Sequence, residues 1–187
     1  MEEILEQVPS HCIKVVLYGP ESTGKTTLSR KLATHYQAPW VPEYARDYLQ
    51  QKWDREQLIC DWEDMLPIAR GQMKLENEAA QKEDRLLICD TDLLETMVYS
   101  QAYYDQQVDP LIEKYAVENR YDLYLLTYID VPWEPDDLRD RPGRREEMFR
   151  YFEQALIRYD KPYCLLQGNV EERMTEAAAA IDRLLKK

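Results

Sequence analysis

The sequence has little of several features that would point to other classes of protein. It has two histidines, and its four cysteines are spaced singly with no C-x-x-C pair, which argues against a structural metal site and a disulfide framework. No apolar run approaches the roughly 20 residues that a membrane span needs. The first six residues include three glutamates, where a secretory signal would be basic. We therefore expect a cytoplasmic protein with reduced thiols and no membrane partner.

Basic side chains are outnumbered by acidic ones. The 187 residues hold 24 lysines and arginines against 36 aspartates and glutamates, a formal net charge of -12. Such a surface repels the backbone of nucleic acids, so a small-molecule substrate is the better expectation. The length and a hydrophobic content of 44% suit one domain over residues 1–187, with residues 1–11 as a loose or helical lead-in.

Short apolar runs alternate with helical periodicity along the chain. The runs predict strands at 13–18, 40–42, 85–90, 123–129 and 163–166. Helices are expected at 24–36, 44–81, 93–104, 109–118, 145–159 and about 174–185, with Pro67 kinking or dividing the second. This alternation predicts an α/β fold, a five-stranded parallel sheet sandwiched between helical layers.

A phosphate-binding loop connects the first strand to the first helix. Residues 19–26 read G-P-E-S-T-G-K-T, which matches G-x-x-x-x-G-K-[ST] in the required strand–loop–helix context. Such a loop points backbone N–H groups at phosphates, its lysine reaches the β and γ phosphates, and its final threonine offers a magnesium ligand. The sequence thus predicts binding of a nucleoside triphosphate with Mg²⁺. The expected nucleotide-binding residues here are Gly19, Glu21, Ser22, Thr23, Gly24, Lys25, Thr26 and Thr27.

Three acidic residues follow predicted strands at the edge where open parallel sheets bind ligands. Asp90 ends the third strand and is predicted to join Thr26 in holding magnesium, the alternative being a plain strand-end residue. Asp92 either caps the next helix, with Glu95 reciprocating, or binds and deprotonates a substrate hydroxyl. Glu43, after the second strand, competes for that base role or is simply solvated.

Four arginines surround Pro142–Gly143 in residues 136–145, and we expect a mobile lid there. Arginine at a helix start opposes the helix dipole, whereas phosphoryl transfer needs positive charge in the transition state. We therefore predict catalytic roles for Arg139 and Arg144 and a nucleotide contact for Arg141, against the alternative of a solvated loop. Gly168 and Asn169, after the fifth strand, are candidates for the adenine side.

Tyrosine is abundant, with 14 residues against two phenylalanines. Tyr99 and Tyr103 share a helix face with Glu95, giving an aromatic and acidic wall suited to a flat cationic ring. Tyr44, beside Glu43, is a further candidate for substrate contact. The alternative for all three is ordinary helix packing.

Four stretches carry a resemblance to a known family: G-P-E-S-T-G-K-T-T-L, P-E-Y-A-R-D-Y around Glu43, I-C-D-T-D-L-L-E-T around Asp90, and Y-D-L-Y-L-L-T-Y-I-D-V-P-W-E-P-D-D-L-R ending at Arg139. These stretches resemble P-loop kinases of the ribosylnicotinamide kinase type found in bacterial NadR, and the resemblance extends over most of the chain. The resemblance implies a nucleoside-kinase-like fold, ATP and Mg²⁺, and phosphorylation of the 5′-hydroxyl of nicotinamide riboside. Glu43 or Asp92 would then face the ribose, and the arginine segment would be the lid.

Other functions stay open on the sequence. The chain has no H-x-G-H motif, so adenylyl transfer is not expected, and no N-K-x-D motif, which speaks against a GTPase. A P-loop ATPase acting as a regulatory switch, or a kinase for another nucleoside or alcohol, would carry the same loop.

Overall fold

The computed structural model describes residues 5–83, 85–139 and 142–186. Its sheet is built from strands β1 to β5, whose bounds are Ile13–Tyr18, Trp40–Val41, Leu86–Asp90, Leu123–Thr127 and Tyr163–Leu166. The strands are parallel and lie in the order β2-β3-β1-β4-β5. The predicted α/β fold with a five-stranded parallel sheet is therefore confirmed.

Helices α1 to α7 connect the strands; their bounds are Lys25–Tyr36, Tyr44–Glu56, Met65–Ala80, Leu93–Tyr103, Pro110–Glu118, Arg145–Arg158 and Val170–Leu185. Short 3-10 turns at Trp62–Asp64 and Pro142–Arg144 precede α3 and α6. The predicted division at Pro67 is wrong, since the long helical segment breaks at residues 57–61. Pro67 lies in the first turn of α3, where its missing N–H removes no helical hydrogen bond.

Two apolar clusters cover the two faces of the sheet. Leu28, Leu32 and Tyr36, the predicted stripe of α1, are buried with residues of α7 on one face. Helices α3 to α6 cover the other face. Because β1, β3 and β4 are buried on both sides, they read in the sequence as nearly continuous apolar runs. Among the described residues, no helix is long and apolar enough to cross a membrane.

The parallel register brings the carboxyl ends of the central strands together. Leu17 pairs with Asp90, so the loop after Tyr18 and the residues after Asp90 leave the sheet side by side. Thr127, the last residue of β4, lies on the other side of the same loop. The sheet thus assembles the candidate site from segments far apart in sequence.

The lead-in differs from the expected loose or helical segment. Residues 5–12 form neither helix nor strand, yet they are tied to the amino edge of the sheet. The backbone N–H of Gln7 donates to Asn119 Oδ1, and its side-chain amide donates to the buried carboxylate of Glu76. Leu5 is only 1% exposed and packs in the larger core cluster. Residues 5–12 are therefore part of the fold.

We expect Leu5→Ala to lower the free energy of unfolding by about 2–4 kcal/mol, because it leaves a cavity in a packed cluster. Leu58, 52% exposed, provides a matched leucine, and Leu58→Ala should cost no more than about 0.5 kcal/mol. Urea denaturation of both variants measures the difference. Equal losses would show that the lead-in does not contribute to the core.

Candidate active site

The phosphate loop has the backbone geometry that its glycines permit. Gly19 and Gly24 have φ angles of 144° and 82°, in the left-handed region that side chains avoid. A Cβ on Gly19 would also lie 2.7 Å from Thr127 Oγ1, so this position is closed to other residues by contact as well as by conformation. Ser22 adopts φ 57° without being glycine, and its hydroxyl accepts the backbone N–H of Glu134. The loop is thus held against the segment that follows β4.

Lys25 is buried at the start of α1 and is held by the loop itself. Its Nζ donates to the carbonyl oxygens of Gly19 at 2.7 Å and Pro20 at 2.9 Å, and lies 3.3 Å from Glu95 Oε1. Burial acts to lower the pKa of Lys25, but the carboxylates of Glu95, Glu43 and Asp90 outweigh it and leave the pKa raised. Lys25 is therefore a permanently charged group at the centre of the site.

Asp90 and Thr26 meet as the magnesium prediction requires. The Thr26 hydroxyl donates to Asp90 Oδ2 at 2.6 Å, whereas Asp90 Oδ1 is buried without a hydrogen-bond partner among the described residues. A buried carboxylate oxygen without a partner destabilises the fold unless a cation or a water molecule binds it. No group of three or more His, Cys, Asp or Glu side chains in the described ranges could hold a metal alone. The pair would suit a magnesium ion whose remaining ligands would be phosphate and water oxygens.

The surroundings of Asp90 oppose its negative charge. Burial, followed by the nearby carboxylate of Glu43, raises the pKa of Asp90 to about 7. Lys25 and the Thr26 hydroxyl act in the opposite sense and limit the rise. A further positive charge nearby would therefore favour the ionised form of Asp90 at neutral pH.

Glu43 and Asp92, the two candidates for the base, are in different environments. Glu43 lines a cavity of about 480 Å³ that also contains Lys25, and it makes no side-chain cap to α2. Asp92 is 1% exposed and does not line that cavity. Its Oδ1 accepts the N–H of Glu95 and its Oδ2 accepts the Tyr124 hydroxyl at 2.7 Å. This geometry favours Asp92 as the N-cap of α4 and does not support the prediction that it faces a substrate.

Glu95 is a site residue that sequence reasoning assigned to helix capping and to the edge of the aromatic wall. Asp92 does cap α4, but Glu95 does not reciprocate. It instead reaches the phosphate loop, where Oε2 accepts the N–H of Gly19 at 3.3 Å, and it lines the cavity. Burial, opposed by Lys25, raises the pKa of Glu95 well above its ordinary value. The D-L-L-E spacing fits both arrangements, so no signal in the sequence separates them.

The predicted aromatic and acidic wall of α4 faces the cavity, which Glu95 also lines. Tyr99 and Tyr103 line it, together with Tyr104 at the end of α4. Tyr44 does not: its ring lies against Gly71 of α3, where a Cβ would come within 2.1 Å of the ring. The prediction that Tyr44 contacts substrate is therefore not supported, because α2 turns this side chain toward its neighbouring helix. Ala45 and Arg46, next along α2, line the cavity instead.

The arginine segment divides between the cavity and the surface. Arg139 lines the cavity, and Asp136 binds both Arg139 and Arg46 of α2. Arg144 does not line it, and pairs with Glu147 one turn along α6. The structure therefore favours a local ion pair for Arg144 over the predicted catalytic role. Arg141, the predicted nucleotide contact, lies outside the described residues. Arg145, which the sequence linked with Arg144 to phosphoryl transfer, donates to the backbone oxygen of Ser22 in the loop.

Arg173 of α7 is a second residue that the sequence did not reveal. Its guanidinium is buried and donates to the carbonyl oxygens of Thr23, Gly168 and Tyr128, and it forms an ion pair with Asp130. Arg173 thus stabilises the phosphate loop through the carbonyl oxygen of Thr23, and it also lines the cavity. Asn169 caps α7 through Glu172 and does not line the cavity, so the structure does not favour its predicted nucleotide contact.

A family model described as an AAA domain matches residues 14–173. The chain belongs to this family. The trifunctional NAD biosynthesis/regulator proteins NadR of Escherichia coli K12 and Salmonella typhimurium LT2 are each 30% identical to it over 125 residues. Each match covers 67% of this chain and 30% of the relative, so the chain corresponds to one part of those longer proteins.

Solved structures support the same relationship. A NadR protein in complex with NR matches with a TM-score of 0.80 at 25% identity, over 95% of this chain and 52% of that chain. A NadR protein in complex with NAD and AMP-PNP matches with a TM-score of 0.76 at 25% identity, over 95% and 50%. Deoxyadenosine kinase from M. mycoides matches at 0.69 and 14% identity, over 91% and 100%, which shows a shared fold. The predicted family resemblance and the nucleoside-kinase-like fold are confirmed.

We expect Arg173→Met to lower the free energy of unfolding by roughly 2–4 kcal/mol and to weaken nucleotide binding, because three carbonyl groups and Asp130 lose their partner. Arg183, exposed on the same helix, provides the control, and Arg183→Met should change stability by less than about 0.5 kcal/mol. Urea denaturation and calorimetric titration with ADP test both variants. Similar behaviour of the two would contradict the supporting role of Arg173.

The raised pKa of Asp90 predicts how stability changes with pH. Because the folded state keeps a proton that the unfolded state has lost, the free energy of unfolding contributed by Asp90 falls as pH rises from about 4 to about 7. Asp90→Asn should remove this slope and be more stable than wild type at pH 8, by at least about 1 kcal/mol. It should also lose the magnesium dependence of nucleotide binding.

Denaturation between pH 4.5 and 8, and ADP titrations with and without Mg²⁺, measure these two effects. Asp54→Asn, an exposed substitution on α2, is the control and should keep the wild-type pH slope. An unchanged slope in Asp90→Asn would show that its ionisation is not linked to folding.

Proposed function

We propose that this chain transfers the γ-phosphoryl group of ATP to the 5′-hydroxyl of nicotinamide riboside, forming nicotinamide mononucleotide in the cytoplasm. The observation that carries the proposal is one cavity lined by Lys25 of the phosphate loop, Glu43 at the start of α2 and the tyrosines of α4. A phosphoryl donor, a base and a surface for a flat ring are the three elements that such a transfer requires.

The donor end of the cavity suits ATP. Backbone N–H groups of the loop and the N-terminus of α1 favour phosphate oxygens, and Lys25 lies within the loop to neutralise the β and γ phosphates. Asp90 and Thr26 would hold magnesium, which neutralises charge on the same phosphates when it is bound. The NadR protein solved with AMP-PNP supports an ATP-type donor.

The acceptor end requires a carboxylate with room for a hydroxyl group. Glu43 lines the cavity and is close enough to Lys25 and Asp90 to shift the pKa of both. Asp92 has both oxygens engaged inside the protein. We therefore assign the base role to Glu43, which would orient the 5′-hydroxyl and take its proton as the bond to phosphorus forms.

The proposed substrate has a positively charged pyridinium ring. Tyr99, Tyr103 and Tyr104 offer aromatic surface, and Glu21 and Glu95 bring negative charge to the same cavity. Aromatic faces and carboxylates both favour a flat cation over a neutral ring. A NadR protein in complex with NR provides the further support for this substrate.

A kinase screen tests the proposal. Purified protein with ATP and Mg²⁺ should phosphorylate nicotinamide riboside with a higher kcat/KM than adenosine, cytidine, thymidine or uridine, and Lys25→Ala should serve as the inactive control. Conversion of another nucleoside in preference would refute the substrate and leave the kinase class standing. ATP hydrolysis that no acceptor stimulates would instead favour a regulatory ATPase.

Within the same assay, Glu43→Gln should lower kcat for the preferred acceptor about 10²- to 10⁴-fold, because the hydroxyl loses its proton acceptor. Glu56→Gln, an exposed change at the other end of α2, should retain wild-type kcat. Wild-type turnover by Glu43→Gln would remove Glu43 from the mechanism.

A further inference from the structure

Glu95 is an acidic residue placed beside a loop that binds anions. Its carboxylate lies 3.3 Å from Lys25 Nζ and also accepts the N–H of Gly19. A negative charge in this position repels the phosphates of a nucleotide, and the protein interior screens that repulsion poorly. Its presence therefore calls for an explanation in terms of nucleotide binding.

Lys25 cannot serve Glu95 and a nucleotide fully at once. An ammonium group has three N–H donors. Two of them donate to the carbonyl oxygens of Gly19 and Pro20, and Glu95 provides the opposite charge on the remaining side. A β or γ phosphate that binds Lys25 must displace one of these three partners. Glu95 is the acidic side chain among these three acceptors, and the Lys25 charge opposes the rise in the pKa of Glu95 that burial causes.

Other residues perform the capping and metal-binding roles that lie nearest to Glu95. Asp92 performs the capping of α4, and Asp90 with Thr26 forms the candidate magnesium pair. Glu95 Oε1 is buried and has no hydrogen-bond partner within the described ranges, so the Lys25 charge is what stabilises it. The ion pair consequently costs free energy to break, and that cost falls on any ligand that takes Lys25 away.

We propose that Glu95 is an internal competitor for Lys25, which weakens the binding of nucleotides bearing a β phosphate and speeds the release of the nucleoside diphosphate. The proposal rests on the proposed function only in regarding that diphosphate as the product. Each turnover then ends with Glu95 recovering the lysine as ADP departs. Product release limits many kinases, so this competition favours turnover over tight binding.

The test is ADP binding by wild type and Glu95→Gln, measured by calorimetry and by the dissociation of a fluorescent ADP analogue. Glu95→Gln retains an acceptor for Gly19 but removes the charge. It should bind ADP about 5- to 100-fold more tightly, chiefly through slower dissociation. AMP has no β phosphate for Lys25, so its affinity should change less than about twofold. Glu113→Gln, an exposed change on α5, should match wild type with both ligands.

A Lys25→Met background separates competition for the lysine from general charge repulsion. Adding Glu95→Gln to Lys25→Met should leave ADP affinity unchanged, because the competed group is gone. An equal gain in both backgrounds, or ADP binding by Glu95→Gln no tighter than wild type, would overturn the proposal. Glu95→Met, which fills a similar volume without charge, carries the same expectation if the glutamine variant folds poorly.

These measurements use no phosphoryl acceptor. Failure of nicotinamide riboside as a substrate would leave the inference about Glu95 intact. Equal ADP affinity of wild type and Glu95→Gln would refute that inference and leave the kinase proposal standing.

Discussion

The charge around Lys25 is the constraint on which the site depends. One buried ammonium lies among the carboxylates of Glu43, Asp90 and Glu95, and all three raise its pKa while burial lowers it. Carboxylates removed from water need a counter-charge, and one lysine does not balance three of them. The raised pKa values of Asp90 and Glu95 reflect this imbalance, and a bound cation beside them would relieve it. Magnesium and a pyridinium ring are both cations, so the two proposed ligands meet the same need.

The phosphate loop is held in shape by residues from several other parts of the chain. Thr23 and Thr127 share a hydrogen bond of 2.7 Å between their hydroxyl groups. Arg145 and Arg173 bind carbonyl oxygens of Ser22 and Thr23. These partners bind the carbonyl side of the loop, so contacts within the protein stabilise its shape. Such pre-organisation lowers the ordering cost of binding and places fixed dipoles where phosphate charge lies.

Local patterns in the sequence predicted most of the fold. The apolar runs gave the five strands because burial on both faces leaves little alternative, and the G-x-x-x-x-G-K-T motif located the loop because its backbone requires those glycines. Asp90 was found by its position at a strand end, which parallel register brings beside Thr26. These features depend on neighbours along the chain or on the general geometry of a parallel sheet.

The remaining site residues depend on side-chain directions that the sequence does not specify. Asp92 and Glu95 match one capping pattern, yet one turns inward to Tyr124 and the other turns to the loop. Tyr44 follows Glu43 directly, but the rotation of α2 places its ring on Gly71. In the sequence, Arg173 is indistinguishable from the other charged residues of an amphipathic helix, although tertiary packing buries it against the loop. Three-dimensional packing decides each of these cases.

The lead-in determines where this fold can be joined to other structures. Leu5 and Gln7 are anchored beside Asn119 and Glu76, at the amino edge of the sheet, whereas the cavity opens at the carboxyl edge. A linker ahead of Leu5 would thus start from the face of the molecule that lies away from the cavity.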